Sequence, residues 1–326
     1  MKFFTLLLFL ITLSFGDSIL KIATYNVENL FDLEKSEFRY EEYEPNGKSL
    51  WNQRNYKIKL NNIAKVIKDI DADIIALQEI GSLKALKDLR LEIKRQGLYY
   101  QYFNIANKKK TTTQVAILSK IPFIYSKDLS VTFSYKYRNI LETKFKLNGE
   151  VFYIFNNHWK AKSGPESMRI VSAKKLRERT KEISEDKNII LLGDFNSDYE
   201  EYIKFKRKRQ HNDTHGKTGI NHILETLEPH NEGFYNLWYD TQEENRYSYI
   251  FKRQKEALDN ILISQALLAK NKMSYIENSI SNFDEPYLFK KKNINRWQMS
   301  HGRIKTHKGK GYSDHLPVVA TFLIKS

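Results

Sequence analysis

The feature that most constrains this chain is a set of short apolar runs, rich in β-branched residues, that recur along most of its length. They are ILKIATY (19–25), DIIALQ (73–78), QVAIL (114–118), VFYIFN (151–156), NIILLGD (188–194), LDNILIS (258–264) and PVVATFLI (317–324). Runs of this length and composition are typical of buried strands. The sequence therefore predicts a fold with β-sheet at its centre.

Segments with helical periodicity lie between several of these runs. The first predicted helix has a face made of Tyr56, Leu60, Ile63, Ile67 and Ile70. The second follows Ser82, a residue suited to cap it, and has a face made of Leu83, Leu86, Leu89 and Ile93. The third opens at Gly164-Pro165, and the residues that it should bury are Met168, Val171, Leu176 and Ile183.

Strands and helices alternate in the early part of the chain, whereas residues 138–158 are typical of two strands around a turn at Asn148-Gly149. A mixed-sheet α/β fold accommodates both patterns. No linker rich in proline, glycine and serine interrupts the alternation, and 326 residues are enough for one large domain. We therefore expect a single domain over residues 17–326.

The first sixteen residues differ in kind from the rest. Lys2 precedes an apolar run over residues 3–13, and small residues at Ser14 and Gly16 follow it. This pattern is typical of a secretory signal, which predicts a periplasmic or extracellular protein. A membrane anchor is the alternative, but the run is well short of the ~20 residues that span a bilayer. We expect no stable membrane insertion after the signal is removed.

The charge of the chain points to a polyanionic partner. Its formal net charge is +15 at pH 7, and it contains no cysteine for a disulfide, a thiolate nucleophile or a zinc–cysteine site. A basic surface kept for solubility is the simpler alternative. However, the positive charges concentrate in KFKRKRQ (204–210) and in residues 290–310, which favours nucleic acid over a membrane surface.

Polar residues stand where several apolar runs end or begin. They are Asn26, Glu28, Glu79, Asn157, His158, Asp194 and Asn196 at ends, and Asp259, Asp314 and His315 at beginnings. If the last two strands run antiparallel to the others, all of these residues reach one edge of the fold. Binding sites of α/β sheets favour such an edge.

Taken singly, these residues have structural explanations as turn formers, caps, solvated carboxylates or core histidines. Taken together, five acids and two histidines would repel and desolvate one another unless a cation compensates them. An oxygen-rich set favours Mg²⁺, with Mn²⁺ or Ca²⁺ also suitable, and Glu28 and Glu79 are the expected ligands. The remaining groups suit phosphodiester cleavage, with His315 as base and Asp259 orienting it.

At this point the sequence resembles the endonuclease/exonuclease/phosphatase superfamily of metal-dependent phosphoesterases, which includes deoxyribonuclease-I-like nucleases. The matching stretches are TYNVENLFD (24–32), LQEI (77–80), YRNILETKF (137–145), NNHWKAK (156–162), GDFNSD (193–198), RYSYIF (246–251), LDNILIS (258–264) and YSDHLPV (312–318). They follow the order of the family and cover nearly the whole mature chain. The resemblance implies a four-layer α/β/β/α sandwich with two mixed β-sheets and the site at one end.

The resemblance also implies roles for individual residues. The metal ligand would be Glu79, with Glu28 and Asp314 completing or neighbouring the metal site. Residues that position the attacking water and the phosphate would be Asp194, Asn196 and Asn26. The pair of Asp259 and His315 would act on the scissile phosphate, with the histidine as base or as phosphate-binding acid. Expected contacts with phosphate or nucleic acid are Arg138, Asn157, Lys160 and Lys162.

Two departures from the family pattern concern His158 and Asn260. His158 matches the second histidine of deoxyribonuclease-I-like and sphingomyelinase-like members, but TTTQVAIL (111–118) has no glutamate that could orient it as in pancreatic-type enzymes. This leaves the catalytic role of His158 open. Asn260 replaces a tyrosine or histidine that many relatives carry after the aspartate, and we expect little effect on the chemistry.

The fold does not identify the substrate. We expect a monomeric, exported, Mg²⁺-dependent endonuclease with little sequence specificity, acting on DNA more than on RNA. One alternative is a sphingomyelinase-like phosphodiesterase acting on a lipid or small molecule. It would need an aromatic-tipped loop, and NEGFYNLWYD (231–240) is the candidate, although core packing explains its aromatics better. The other alternative is a catalytically silent nucleic-acid-binding module.

Overall fold

The structure is a computed structural model that describes residues 16–184, 186–204, 212–227 and 233–326. Residues 1–15 of the predicted signal, residues 205–210 of the first basic segment and residues 231–232 lie outside the described residues. Among the helices described, none combines the length and the apolar character needed to cross a bilayer.

Seventeen strands are described, and most of the long ones coincide with the apolar runs. In chain order they are β1 Ser18–Leu30, β2 Ile74–Ile80, β3 Tyr102–Ile105, β4 Gln114–Ser119, β5 Phe123–Leu129, β6 Ile140–Leu147, β7 Glu150–His158, β8 Asn188–Asp194, β9 Tyr235–Asn236, β10 Tyr249–Phe251, β11 Gln254–Glu256, β12 Asp259–Ile263, β13 Met273–Tyr275, β14 Ser281–Asn282, β15 Phe289–Lys290, β16 Asn293–Ile294 and β17 Val318–Ile324.

Three of the five described α-helices are long. In chain order the five are α1 Gln53–Ile70, α2 Leu83–Arg95, α3 Glu166–Ile183, α4 Glu201–Lys204 and α5 Gln265–Leu268. Asn52 caps α1 by accepting a hydrogen bond from the Asn55 backbone, and Ser82 caps α2 in the same way through Ala85. The first two helices predicted from the sequence are thus confirmed, including the Ser82 cap.

Two large mixed sheets form the centre of the molecule. The first has the order β13-β17-β1-β2-β4-β3, with β14 also paired to β17, and the second has the order β5-β6-β7-β8-β12-β9. Strand β1 is parallel to β2 and antiparallel to β17, while β7 is parallel to β8 and antiparallel to β6. The prediction of two mixed sheets is confirmed.

Three apolar clusters bind the layers together. One lies between the sheets and joins residues such as Ile22 and Ile117 of the first sheet to Ile154 and Leu192 of the second. Another covers the outer face of the first sheet with α1 and α2. The third covers the outer face of the second sheet with α3. The molecule therefore has the four layers α/β/β/α that the resemblance implied.

Helix α3 begins after Pro165, as predicted, but its buried face is not the predicted one. Only Leu176 of the predicted set is buried, while Met168, Val171 and Ile183 are partly exposed. The described inner face is mostly polar: Glu166, Arg169, Ser172, Ala173, Leu176, Arg177 and Thr180. Charges fit there because they have partners, as in the pair of Arg169 Nε with Glu166 Oε2 at 2.5 Å.

Helix α2 needs a smaller correction. Leu83, predicted to lie on its buried face, is 46% exposed at the first position of the helix. The other predicted residues, Leu86, Leu89 and Ile93, are buried. The aromatic segment 231–240 behaves as a core element within its described part, since Phe234, Leu237 and Trp238 are buried.

The strand directions bring the polar residues to one edge. Strand β12 is antiparallel to β8 and places Asp259 opposite Asp194, while β7 is parallel to β8 and places His158 opposite the same residue. Strand β17 is antiparallel to β1, so that His315 precedes it at the edge where Asn26 lies. Strands β12 and β17 are thus antiparallel to their neighbours β8 and β1, which is the arrangement under which these polar residues share one edge.

Candidate active site

The centre of the site is a buried pair of Asp259 and His315. Nδ1 of His315 lies 2.6 Å from Oδ2 of Asp259. The Ser248 hydroxyl donates to the same oxygen at 2.6 Å and accepts a hydrogen bond from the Asp259 backbone N–H at 2.9 Å. Burial disfavours the charged imidazole, but Asp259 outweighs burial and raises the pKa of His315 well above its ordinary value. The hydrogen bonds to Asp259 therefore hold the pair in one orientation.

Asp194 lies next to this pair and is linked to the first sheet by Asn26. The Asn26 side-chain amide donates to Oδ2 of Asp194 at 3.0 Å and to Oε1 of Glu79 at 3.3 Å. The backbone N–H of Asn196 donates to Oδ1 of Asp194 at 2.8 Å. Burial, followed by the nearby charge of Asp259, raises the pKa of Asp194 to about 7. Asn26 thus joins carboxylates from both sheets.

Glu79 is positioned by an irregular piece of backbone. The β1–β2 pairing shifts register between Asn26 and Leu30, and Glu28, Asn29 and Glu79 all have positive φ angles, of 51°, 60° and 66°. Such conformations are strained for residues other than glycine and occur at functional sites. Here they direct the Asn29 backbone N–H to Oε2 of Glu79 at 2.8 Å. Burial and then Asp314 raise the pKa of Glu79.

His158 reaches the same carboxylates from β7. Its Nε2 lies 3.4 Å from Oδ2 of Asp194 and 3.8 Å from Oε1 of Glu79. Burial, followed by the charges of Arg138 and His315, lowers the pKa of His158 well below its ordinary value. Its Nδ1 is buried without a hydrogen-bond partner among the described residues, in keeping with the missing glutamate of the sequence.

The donor set fits a hard divalent cation. The carboxylates of Asp194 and Asp259 each offer one ligand atom, and these atoms lie within 4.8 Å of each other and of the His315 imidazole. Oδ1 of Asp259 is buried and has no hydrogen-bond partner in the described structure, and Glu79 adds a second carboxylate beside Asp194. Ionised carboxylates buried in this way cost free energy unless a positive charge compensates them. Oxygen ligands match Mg²⁺, Mn²⁺ or Ca²⁺.

Glu28 neighbours this arrangement and is held by other partners, so its expected part as a metal ligand stays a prediction. Its Oε1 accepts a hydrogen bond from Arg296 Nε at 3.0 Å, and its Oε2 accepts one from the Trp297 backbone at 3.0 Å. Arg296 also contacts Asp314, with Nη2 3.1 Å from Oδ2. The arginine therefore supplies a positive charge to both Glu28 and Asp314.

The four predicted phosphate contacts divide into two groups. Arg138 lies beside the cluster, since its charge acts on both Glu79 and His158, and its Nε is buried without a partner among the described residues. Lys160 is partly exposed just after β7. Both remain candidates for phosphate contacts.

The side chains of Asn157 and Lys162 have partners within the protein. The fully buried Asn157 donates to the carbonyls of Phe155 and Leu192, at 2.9 and 3.2 Å, and its oxygen accepts from the Trp159 indole. Its side-chain donors are thus used within the sheet, and its contact with phosphate stays a prediction. Lys162 is paired with Glu201 at 2.8 Å and with Glu256 at 3.4 Å, so its charge is already compensated.

Three residues of the site were missed by the sequence analysis. Ser248 fixes Asp259, and Arg296 neutralises Glu28 and Asp314 as described above. Ser313 donates through its hydroxyl to the Asn26 carbonyl at 2.6 Å and accepts from the His315 backbone at 3.2 Å. The serines stand within RYSYIF and YSDHLPV, so their presence in those stretches was the available signal, whereas Arg296 lies in a segment without a comparable pattern.

Comparisons with solved structures support the fold. D. rerio TDP2 in complex with a single-strand DNA product has a TM-score of 0.60 and 16% identity, covering 94% of this chain and 99% of that one. A mannosyl-6-phosphatase from Bacteroides thetaiotaomicron has a TM-score of 0.58 and 15% identity, with coverages of 93% and 99%. A further protein from that organism, of the endonuclease/exonuclease/phosphatase family, has a TM-score of 0.59, 15% identity and coverages of 96% and 100%.

Sequence comparison gives the family. No curated protein matches the chain significantly. The model of the Endonuclease/Exonuclease/phosphatase family matches residues 21–324, which include every residue of the cluster around Asp194. The chain therefore belongs to the endonuclease/exonuclease/phosphatase family of divalent-metal-dependent phosphoesterases.

Proposed function

We propose that this phosphoesterase is an exported endonuclease that uses a divalent cation, Mg²⁺ in the first place, to cleave DNA in preference to RNA with little sequence specificity. The observation that carries the proposal is a basic cleft beside the catalytic cluster. A cavity of about 640 Å³ is lined by Glu28 and Arg296 together with four lysines: Lys290, Lys291, Lys305 and Lys308. Four lysines beyond the neutralised Glu28 suit several backbone phosphates better than one phosphate group.

The chemistry would divide among the buried groups. The cation, held by Glu79 and the neighbouring carboxylates, would stabilise the negative charge that develops on the phosphate. Asp194 is oriented by Asn26 and the Asn196 backbone, and it would accept the proton of the attacking water. His315, whose raised pKa keeps it protonated beside Asp259, would donate a hydrogen bond to a phosphoryl oxygen. This assigns His315 the role of phosphate-binding acid.

The names of the similar structures indicate two different classes of substrate. The TDP2 structure contains a DNA product, whereas the Bacteroides protein is named as a mannosyl-6-phosphatase. The lysine-lined cleft and the net charge of +15 favour the polyanion. Binding should then weaken steeply as salt rises, because each neutralised phosphate releases counterions.

Cleavage assays with matched substrates test the proposal. The mature protein would be incubated with supercoiled plasmid, single-stranded DNA, RNA, sphingomyelin and mannose 6-phosphate, each with Mg²⁺ or with EDTA. We expect Mg²⁺-dependent nicking of plasmid that decreases between low and physiological salt. Equal nicking by wild type and His315→Ala would show that the assigned site is wrong. Turnover of sphingomyelin or of the sugar phosphate without cleavage of nucleic acid would refute the endonuclease.

Export is tested separately by the N-terminus of the protein recovered from expressing cells. We expect a mature protein that lacks residues 1–16 and is found outside the cytoplasm. Retention of Met1 in an intracellular protein would exclude the secretory signal.

A further inference from the structure

The loop that joins β5 to β6, residues 130–138, borders the catalytic cluster; we call it the aromatic loop. In the β6–β7 pairing Leu141 lies opposite Asn156, so β6 begins at the edge where β7 ends in His158. The loop thus enters β6 from the side of the site, and Arg138 lies at its end, with only Asn139 between it and β6. The loop is therefore placed to meet a substrate that occupies the site.

The tip of the aromatic loop presents two unpartnered aromatic rings. Phe133 is fully exposed, and Tyr135 is 61% exposed. Single exposed apolar side chains are common, but two aromatics at alternate positions of one loop, next to a catalytic cluster, form a surface suited to planar ligands. Core packing does not account for these rings.

The backbone of the aromatic loop is fixed, although its rings are exposed. Val131 is buried and packs in the cluster beneath the second sheet. The Thr132 hydroxyl accepts from the Ser134 backbone at 3.1 Å, and the Ser134 carbonyl accepts from the Tyr137 backbone at 3.3 Å. At its base, the Asp128 carboxylate accepts from the Asn139 side chain at 2.8 Å. The loop is thus preorganised, which lowers the entropic cost of binding.

Lysines lie on the aromatic loop and on the connection that it contacts. The Lys108 ammonium donates to the Thr132 carbonyl and joins the β3–β4 connection to the aromatic loop. Lys109 and Lys110 follow in that connection and are exposed, as is Lys136 within the loop. Exposed lysines beside aromatic rings are the combination by which proteins hold single-stranded nucleic acid.

We propose that the aromatic loop binds an unpaired stretch of the nucleic acid substrate, with bases stacked on Phe133 and Tyr135 and backbone phosphates near Lys109, Lys110 and Lys136. This inference rests on the proposed function and extends it to a preference for single-stranded or frayed substrates. A bilayer is the less suitable partner, because Ser134 and Lys136 interrupt the apolar surface that insertion would need.

Binding experiments in EDTA test the proposal without hydrolysis. The probe is a fluorescent oligothymidylate, and the readout is Kd from anisotropy. The double substitution F133A/Y135A should raise Kd about ten-fold or more, because two stacking surfaces are lost. The conservative variant F133Y/Y135F should bind like wild type. Ile124→Ala is the matched control, since Ile124 is exposed on β5 but lies toward the other end of that strand, and its Kd should not change.

Three results would overturn the inference. They are an unchanged Kd in F133A/Y135A, an equal loss of affinity for blunt duplex DNA, and a loss of binding to phosphatidylserine vesicles without a loss of oligonucleotide binding. The last result would identify the loop as a membrane contact. The proposed function fails by a different outcome, in which wild type cleaves no nucleic acid. A wild type that nicks plasmid, with F133A/Y135A binding the oligonucleotide normally, overturns the aromatic loop alone.

Discussion

Two groups of carboxylates lie close together at the catalytic edge, and they differ in how their charge is compensated. Glu28 and Asp314 share a cation that belongs to the protein, Arg296. Asp194 and Glu79 have amide donors and no salt bridge to lysine or arginine in the described structure, while the charge of Arg138 acts on Glu79. Oδ1 of the nearby Asp259 has no donor among the described residues. The difference separates a group that is compensated by a bonded arginine from the group at which the proposed cation would bind.

The largest expected effect tests this difference by equal substitutions in the two groups. Glu79→Gln should lower kcat/KM by about 10³-fold, since a metal ligand contributes several kcal/mol to transition-state stabilisation. Glu28→Gln should lower it less than about ten-fold, because Glu28 binds an arginine rather than the cation. Steady-state kinetics on plasmid would measure both. Equal losses in the two variants would contradict the separation.

Metal binding should also appear as a change in stability. At Mg²⁺ concentrations near ten times Kd, the free energy of unfolding of wild type should rise by about 1.4 kcal/mol. Glu79→Gln should show little of this increase, and Glu28→Gln should retain it. Thermal unfolding with Mg²⁺ and with EDTA provides the measurement. If the stabilisation by Mg²⁺ were lost in Glu28→Gln instead, the cation would have to bind at Glu28 and Asp314.

Removal of the internal cation should destabilise the protein without metal. Arg296→Met leaves the buried Glu28 carboxylate without its partner and should lower the free energy of unfolding by about 1–2 kcal/mol; the cost is reduced because the arginine is half exposed. Adding Glu28→Gln should recover most of this loss, because the uncompensated charge is then absent. Denaturant unfolding of the single and double variants checks the coupling. A simple sum of the two single effects would show that the pair is not coupled.

The smallest expected effect is a pH dependence from His307, which supports the segment that carries Arg296. Its Nδ1 accepts a hydrogen bond from the Trp297 indole at 2.7 Å, and burial lowers its pKa. The unfolded chain takes up the proton first as pH falls through about 6.5, so stability falls on acidification, by at most about 1.4 kcal/mol per pH unit. His307→Gln should reduce this slope between pH 7 and 5.5. An unchanged slope in urea unfolding would exclude His307 as its source.

The sequence predicts which residues reach the edge of the fold better than it predicts which side chains bond to one another there. Asp194 and Asp259 could be placed together because each adjoins an apolar strand, and strand direction alone then decides their position. Arg296 could not be assigned to Glu28, because it lies in an irregular segment 268 residues further along the chain. Without periodicity, nothing in the sequence indicates which carboxylate such an arginine will meet.

The buried face of α3 was predicted wrongly for a related reason. Apolar periodicity assumes that charged residues face water, but Arg169 turns inward and donates to the carbonyls of Lys160, Ala161 and Gly164, at 3.2 to 3.3 Å. It thereby fixes the loop that follows His158. A buried charge with enough acceptors is stable, yet its sequence pattern is that of an exposed residue.

The pairing of β1 with β17 has a consequence for how activity arises during folding. Ser18 lies opposite Ile324, so strands from distant parts of the sequence must meet before His315 can reach the cluster beside Asn26. Contacts over such long separations form slowly. A chain that is still being synthesised therefore lacks its phosphoesterase centre, and activity cannot appear until the last strand has docked.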